Sequence, residues 1–211
     1  MKPFFRTRPG VTLIELLLFV GILAMSMGAI LAFFLLTTES RVRQQVANDV
    51  EQNAIQLEQF FENEVRHAER IIDPPLGETG SILTLESSDV GANPVIVAVQ
   101  SGYVLLVRGD AEYVLSPPEV TVSDLQVFNA STSDNRQGVL LTYTVSRILP
   151  LAKSGYYRRN VTQGISVLQD DSRTGNPCNC AAPACDDGLY KWKICSDMLC
   201  TETSGSIACD E

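Results

Sequence analysis

The sequence predicts an α+β protein in which one long N-terminal helix packs against an antiparallel β-sheet, followed by a cysteine-rich tail. Three observations predict this fold: an apolar run over residues 11–36, a helical stripe of apolar residues behind it, and short β-branched runs after residue 80. The 211 residues suffice for one anchor helix and one globular domain. The predicted segments are a basic leader peptide (1–10), a transmembrane half-helix (11–36), an amphipathic half-helix (37–73), a β-sheet head (74–169) and a Cys-rich C-terminal extension (170–211).

The first ten residues predict how the chain is oriented across a membrane. They carry Lys2, Arg6 and Arg8 and no acid, so the positive-inside rule places this end in the cytoplasm and the remainder outside. As a helix the apolar run would be ~39 Å long, more than the ~30 Å hydrocarbon core, so it can span with a tilt. A conventional signal peptide is the less favoured alternative, because cleavage near residues 24–26 would leave an apolar mature terminus.

The charge and the histidine content argue against two classes of function. A formal net charge of -9 opposes binding to nucleic acid, so no nucleic-acid partner is expected. His67 is the single histidine of the sequence, so a Ser-His-Asp site or a metal site with several histidines is not expected. The pairs Asp170-Asp171 and Asp186-Asp187 lack the spaced ligands of a calcium loop and are interpreted as solvated loop acids. We therefore expect no enzymatic activity, no cofactor and no metal.

Glu15 is the anomaly of the apolar run. A carboxylate in a membrane helix costs ~2.5–3.5 kcal/mol on insertion scales and is normally paired or functional. A cut between Gly10 and Val11 would create an α-amine four residues from Glu15, and opposite charges at that spacing are neighbours on a helix. The same amine and carboxylate can also pair between two subunits packed side by side, and only that second pairing drives assembly.

The residues around this position resemble the type IV prepilin signature. The match is Gly10-Val11-Thr12-Leu13-Ile14-Glu15-Leu16-Leu17, which follows a short basic leader. The resemblance implies cleavage after Gly10 by a membrane prepilin peptidase, methylation of the new terminus at Val11, and filament assembly through Glu15. Two departures from the pattern are Val11 in place of the commonest phenylalanine and the absence of proline from residue 11 to residue 73. The second favours a minor or pseudopilin-type subunit.

The resemblance also implies a fold, a location and a set of partners. The fold is the type IV pilin-like one, and the layout is similar to that of minor pseudopilin J or minor pilin W. The implied function is a minor subunit of a type IV pilus or a type II secretion pseudopilus, near the filament tip, and a DNA-uptake pilus is equally compatible. The implied partners are the prepilin peptidase, other pilins or pseudopilins, the inner-membrane assembly platform and membrane lipid. The subunit would be a single-pass inner-membrane protein before it joins an extracytoplasmic filament.

The helix is predicted to continue beyond the membrane, over about residues 12–72. Apolar or small residues recur every three or four positions and form one stripe of an amphipathic helix. These residues are Val42, Val46, Val50, Ala54, Leu57, Phe61, Val65, Ala68 and Ile72. Pro74-Pro75 then ends the pattern. A homomeric coiled coil is the less favoured alternative, because the spacing is nearer 3.7 than 3.5 residues.

After Gly80 the pattern changes to that of strands. Runs rich in β-branched and aromatic residues are separated by turn residues. The predicted strands are 82–85, 95–99, 103–107, 112–115, 120–128, 139–145 and 156–168, the last with a break at Gln163-Gly164. Ser101-Gly102 and Gly109-Asp110 predict two hairpin turns. We expect an antiparallel sheet that covers the helix stripe with one face and leaves the other face in water.

The tail contains every cysteine of the chain. They are Cys178, Cys180, Cys185, Cys195, Cys200 and Cys209. Outside the cytoplasm an even number of cysteines in a short segment predicts a disulfide framework, with fifteen possible connectivities. Zinc is the rival interpretation, but the spacings do not reproduce paired C-x-x-C ligands. The tail is either a stapled cap or a contact surface, and the second option leads to an alternative function: a membrane-anchored extracytoplasmic binding protein or adhesin that acts through its tail.

Overall fold

The computed structural model describes residues 12–133, 135–149, 155–168, 180–196 and 199–209. The chain divides into two compact units, Met1–Gln45 and Val46–Glu211. Helix α1 (Leu13–His67) contributes its first part to one unit and its last part to the other. The strands, all in the second unit, are β1 (Ala68–Asp73), β2 (Thr79–Gly80), β3 (Ile82–Ser87), β4 (Val95–Gln100), β5 (Tyr103–Arg108), β6 (Ala111–Val114), β7 (Thr121–Asn129), β8 (Gly138–Ile148), β9 (Tyr156–Ser166), β10 (Ala184–Asp186), β11 (Leu189–Ser196) and β12 (Leu199–Ala208).

The first unit is the N-terminal part of α1. Its large apolar side chains, from Leu13 to Leu36, are exposed on every side of the helix. By length and composition, α1 is the one helix among the described residues that is apolar enough to cross a membrane. This finding confirms a long apolar helix that can serve as a membrane anchor.

In the second unit, α1 buries the predicted stripe. The buried residues are Val46, Val50, Ala54, Leu57, Phe61 and Val65. All of them except Val46 pack with both large sheets in one core, where the ring centroids of Phe61 and Tyr143 lie 5.5 Å apart. The amphipathic prediction is therefore confirmed over these residues.

The predicted helical end at residue 72 is wrong, because α1 ends at His67 and β1 begins at once. β1 pairs antiparallel with β3, so that Ile71 lies opposite Leu85. Ala68 is buried, as the stripe predicted, but the buried isoleucine is Ile71 and not the predicted Ile72, which is only half-buried. The amide of Leu168 donates to the carbonyl of Arg66, which satisfies one of the free carbonyls at the helix end.

The strands form three antiparallel sheets. Five strands are ordered β1-β3-β4-β5-β6, four are ordered β2-β7-β8-β9, and three are ordered β10-β11-β12. The two predicted hairpin turns are confirmed, since Gln100 pairs with Tyr103 and Arg108 pairs with Ala111. The predicted break at Gln163-Gly164 is wrong, because β9 pairs with β8 without interruption through both residues.

Ion pairs flank the buried stripe and join α1 to the sheets. Arg159 on β9 contacts Glu51 at 2.5 Å and Glu58 at 2.9 Å. Arg147 on β8 pairs with Asp49 in the same way. Arg108 on β5 reaches Glu64 at 2.5 Å. Each partly exposed pair contributes ~1 kcal/mol or less, so these contacts set the orientation of the helix more than its stability.

The five-stranded sheet is covered on both faces, which contradicts the prediction of a wet outer face. Successive residues of β3, β4 and β5 alternate between the helix core and a second core. The second core joins Ile82, Ile96 and Leu105 to side chains of the three-stranded tail sheet. The tail residues in that core are Tyr190, Trp192 and Ile207, with Ile194 and Cys209 packed beside them. The four-stranded sheet does keep one face in water, as the alternating burial of β8 and β9 shows.

Trp192 is the centre of the contact between the tail sheet and the five-stranded sheet. Its indole Nε1 donates to the carbonyl of Gly109 at 3.0 Å, and its side chain is 2% exposed. A Cβ atom added at Gly205 would overlap the Trp192 ring. Gly205 is therefore required by the close approach of the ring and not by its backbone conformation.

We expect Gly205→Ala to lower the free energy of unfolding by ~1–3 kcal/mol, because the ring must leave its position. Urea unfolding of the full chain in detergent, followed by the fluorescence of the single tryptophan, measures this change. Gly164→Ala is the matched control, since a Cβ there meets nothing within 4 Å and should leave stability unchanged or slightly higher. Equal stability of Gly205→Ala and the unsubstituted protein would contradict the packing.

Candidate functional site

The first candidate site is the start of α1, where the prediction placed Glu15. The carbonyl of Thr12 accepts from the amides of Glu15 at 3.0 Å and Leu16 at 3.2 Å, so the carboxylate lies in the first helical turn. An acid in this position is favoured by the helix dipole. Gly10 and Val11, the predicted cleavage and methylation residues, lie outside the described residues.

The carboxylate of Glu15 has an unusual environment. It is the only charged side chain between residues 11 and 36, and it is exposed among exposed apolar neighbours. The hydroxyls further along the helix bond to carbonyls of the preceding turn, as Thr37 does to Phe33 at 2.7 Å. Among the described residues, the Glu15 carboxylate has no such partner. An apolar solvent around this helix would therefore leave one charge unmatched.

The second candidate site is the tail, where the disulfide framework is confirmed for the described cysteines. Cys180 is bonded to Cys200 and Cys185 to Cys209, with Cα–Cα distances of 5.6 and 5.9 Å. Cys195 is also in a disulfide. Cys178 lies outside the described residues. Loops of 20 and 24 residues each gain roughly 3 kcal/mol in a chain-entropy account.

A buried hydrogen-bond network ties the tail to the head. The Tyr190 hydroxyl donates to Asp73 Oδ2 at 2.9 Å, which leaves Thr84 Oγ1, 2.8 Å away, to donate to the Tyr190 oxygen. Burial raises the pKa of Tyr190 above its usual value. Burial also raises the pKa of Asp73, Tyr190 lowers it by its hydrogen bond, and Glu78 raises it by its charge. These groups come from distant segments, so no local pattern in the sequence points to them.

A cavity of about 200 Å³ lies where the tail meets β1. Its walls include Arg70 and Glu86, which pair at 2.5 Å, and Lys193. Ligand sites usually have volumes of ~300–1,000 Å³ and a largely apolar lining, so this cavity is too small for a cofactor. Among the described residues, no group of three or more His, Cys, Asp or Glu side chains is arranged to hold a metal ion.

Asp73 gives the tail contact a defined pH dependence. The pKa of Asp73 is higher in the folded state than in the unfolded state, so the folded state binds the proton more tightly. The free energy of unfolding is therefore highest below the usual Asp pKa and falls as the pH rises through the raised pKa of the folded state. We expect Asp73→Asn, whose amide oxygen still accepts from Tyr190, to lose less stability than the unsubstituted protein as the pH rises above about 4, the usual pKa of Asp. Urea unfolding at several pH values checks this.

Asp110→Asn serves as the control, because Asp110 is exposed in a turn and should leave the pH dependence unchanged. Identical pH profiles for Asp73→Asn and the unsubstituted protein would show that the Asp73 carboxyl does not titrate differently in the folded state.

Comparison of the chain with protein-family models, with curated proteins and with solved structures finds no match in any of the three.

Proposed function

We propose that this chain is a minor pilin or pseudopilin subunit, cut between Gly10 and Val11 and assembled into a type IV pilus or type II secretion pseudopilus through Glu15. The observation that carries the proposal is Glu15, the single carboxylate of the apolar run 11–36, without a partner among the described residues. A chain that needed only an anchor would gain nothing from this acid, which weakens membrane insertion by ~2.5–3.5 kcal/mol.

The proposed cut supplies the missing charge. Cleavage after Gly10 leaves the α-amine of Val11 as a cation at the same end of the helix as Glu15. A membrane favours pairing of the two groups, because each charge alone is poorly solvated there. Between neighbouring subunits, the pairing selects one axial offset of the two helices, which is what a regular filament requires.

The rest of the apolar helix supports packing against other helices. Gly21 and Gly28 have nothing within 4 Å of a Cβ position, so both leave open space at the helix surface. Small residues in membrane helices allow close backbone approach and a gain in van der Waals contact. The exposed leucine, isoleucine and phenylalanine side chains around them can be covered by lipid before assembly and by neighbouring helices afterwards.

The second half of the same helix supports the role of a structural subunit. Its stripe is buried in the main core, and its acids bind arginines of the two large sheets. Any load carried by the apolar part of α1 would therefore reach the core of the head through one continuous helix. Side chains of the tail, Tyr190, Trp192 and Ile207, are buried against the five-stranded sheet. This burial favours a structural cap over a tail whose apolar side chains bind a partner.

We predict that Glu15→Gln and Glu15→Leu reduce incorporation into filaments at least roughly tenfold, a loss that corresponds to about 1.4 kcal/mol of subunit pairing. Membrane insertion and leader removal should continue, since the basic leader and the apolar run are unchanged. The measurement compares the amount of subunit in sheared-filament and membrane fractions of a host with the assembly machinery, and the shift in mass on leader removal.

Glu39→Gln is the matched control. Glu39 lies on the same helix beyond the apolar run and pairs with Arg43 at 2.7 Å, so its loss should leave incorporation unchanged. Normal incorporation of Glu15→Gln would rule out the proposed pairing. A chain that is never cut after Gly10 in such a host would rule out the whole proposal.

A further inference from the structure

The water-facing side of the four-stranded sheet has an unusual composition. Its side chains come from alternate positions of β7, β8 and β9, and the opposite positions are buried against α1. Strand pairing arranges the outward side chains in rows across the sheet. Two adjacent rows are Ser123-Thr144-Asn160 and Gln126-Thr142-Thr162. Every member of these rows is an uncharged hydroxyl or amide.

Charge is nearly absent from this face. The next row contributes Arg158, and Asp124 stands beside it at the irregularity of β7 with a φ of 56°. Charged residues make up 19% of the chain, and the opposite face of the same sheet carries Arg147 and Arg159, which pair with acids of α1. β-Propensity explains the threonines and part of the lack of lysine and glutamate, but β9 is an edge strand, where charged side chains are a common protection against aggregation.

The row Gln126-Thr142-Thr162 has polar side chains that are free to bind a ligand. Within the described residues, the side chains of Gln126, Thr142 and Thr162 make no hydrogen bond to the protein. In the neighbouring row, Thr144 donates to Asn160 at 3.2 Å and Ser123 donates to Asp124 at 2.8 Å. The hydroxyl oxygens of Thr144 and Ser123 can still accept, and the amide group of Asn160 can still donate. Hydroxyls and amides that both donate and accept suit a ligand that also does both.

Aromatic and apolar side chains lie at the two ends of this polar area. At one end, Tyr156 is 61% exposed beside a concavity of about 210 Å³ that also contains Asp124 and Arg158. At the other end, Phe128 is partly exposed beside Leu140. A concavity of about 620 Å³ lies there, next to the open space above Gly164. The face therefore offers an aromatic ring on β9, a polar area and a second aromatic ring on β7, and a line that joins the two rings crosses the strands diagonally.

We propose that this face binds a neutral polysaccharide chain that crosses the strands diagonally from Tyr156 to Phe128. Sugar rings present C–H faces that pack on Tyr156 and Phe128, and their hydroxyls exchange hydrogen bonds with the two polar rows. At ~3.4 Å per residue, the eleven residues of β9 extend ~37 Å, long enough for several sugar units in a row. Asp124 and Arg158 orient a sugar at the Tyr156 end as acceptor and donor.

The composition favours this ligand over others. A nucleic acid or an acidic polysaccharide would need several cations close together, whereas the outward rows contain Arg158 alone and the concavity at the Phe128 end adds Arg136. A protein partner would usually bury an apolar centre with a polar rim, whereas here the centre is polar and the apolar groups are at the ends. An uncharged ligand also avoids the desolvation of ions on either side.

The test measures retardation of the full chain, in mild detergent, on native gels that contain hydroxyethylcellulose, mixed-linkage β-glucan, dextran or galactomannan. The net charge of -9 drives migration, so retardation reports binding. We expect at least one of these neutral polymers to retard the chain. Tyr156→Ala should weaken that binding roughly fivefold to tenfold, within the range for loss of one aromatic contact. The double variant Thr142→Val and Thr162→Val should also weaken it, because it removes two hydroxyls at nearly constant shape.

Tyr113→Ala is the matched control, since Tyr113 is 52% exposed on β6 of the other large sheet and should leave retardation unchanged. Trp192 fluorescence confirms that each variant is folded. The proposal is overturned if none of the four polymers retards the chain, if the Tyr113 and Tyr156 variants weaken binding equally, or if acidic alginate retards it as strongly as the neutral polymers. Binding of this face to a protein instead of a polymer would also overturn it. None of these outcomes depends on filament assembly, so the proposal stands or falls separately from the role of Glu15.

Discussion

The stripe of apolar side chains on the second half of α1 is the constraint on which the head depends. Val50, Ala54 and Phe61 can leave water only if something covers one side of the helix along several turns. The five-stranded and four-stranded sheets do so together, and their inner residues share one core with the stripe. The arginines and acids at its borders then fix how the helix lies against the strands, because rotation about its axis would separate Arg159 from both Glu51 and Glu58.

The sheet that covers the stripe has a second apolar face, and the tail sheet covers that face. The strands β3, β4 and β5 are apolar at consecutive positions, so one face meets the helix while the other would expose Ile82, Ile96 and Leu105. Such continuous apolar runs are typical of sheets buried on both sides. The tail sheet supplies the cover with few apolar residues of its own, and disulfides compensate for that small core. The cysteines are thus explained by the composition of strands more than seventy residues earlier.

Features that have a local pattern in the sequence were predicted correctly, and features that depend on contacts between distant segments were missed. The stripe, the two hairpin turns and the disulfide framework each have a local pattern in the sequence, and each is confirmed. The segment Ala68–Asp73 was predicted as helix because Ala68 and Ile72 continue the apolar stripe at helical spacing. The structure instead buries Ala68 and Ile71 on a strand with an irregular register, and pairing with β3 decided for the strand. The separation into two large sheets and the Asp73–Tyr190–Thr84 contacts join distant segments, so they required the structure. The consecutive apolar positions of β3 to β5 were a visible sign of two-sided burial, and they were interpreted only as strand propensity.

The two halves of α1 differ in how their apolar side chains are covered, and this difference is the basis of the role proposed for Glu15. In the second half, sheets of the same chain cover one side of the helix, and its acids have arginine partners. In the first half, apolar side chains point in every direction, and no described part of the chain covers them. Lipid can satisfy the apolar surface without any specificity, but it cannot satisfy a carboxylate. The proposed function supplies a partner for the carboxylate as a terminus newly made by cleavage. In the proposed function, the apolar surface therefore provides the affinity of one subunit for the membrane and its neighbours, and Glu15 determines which relative position of two helices is stable.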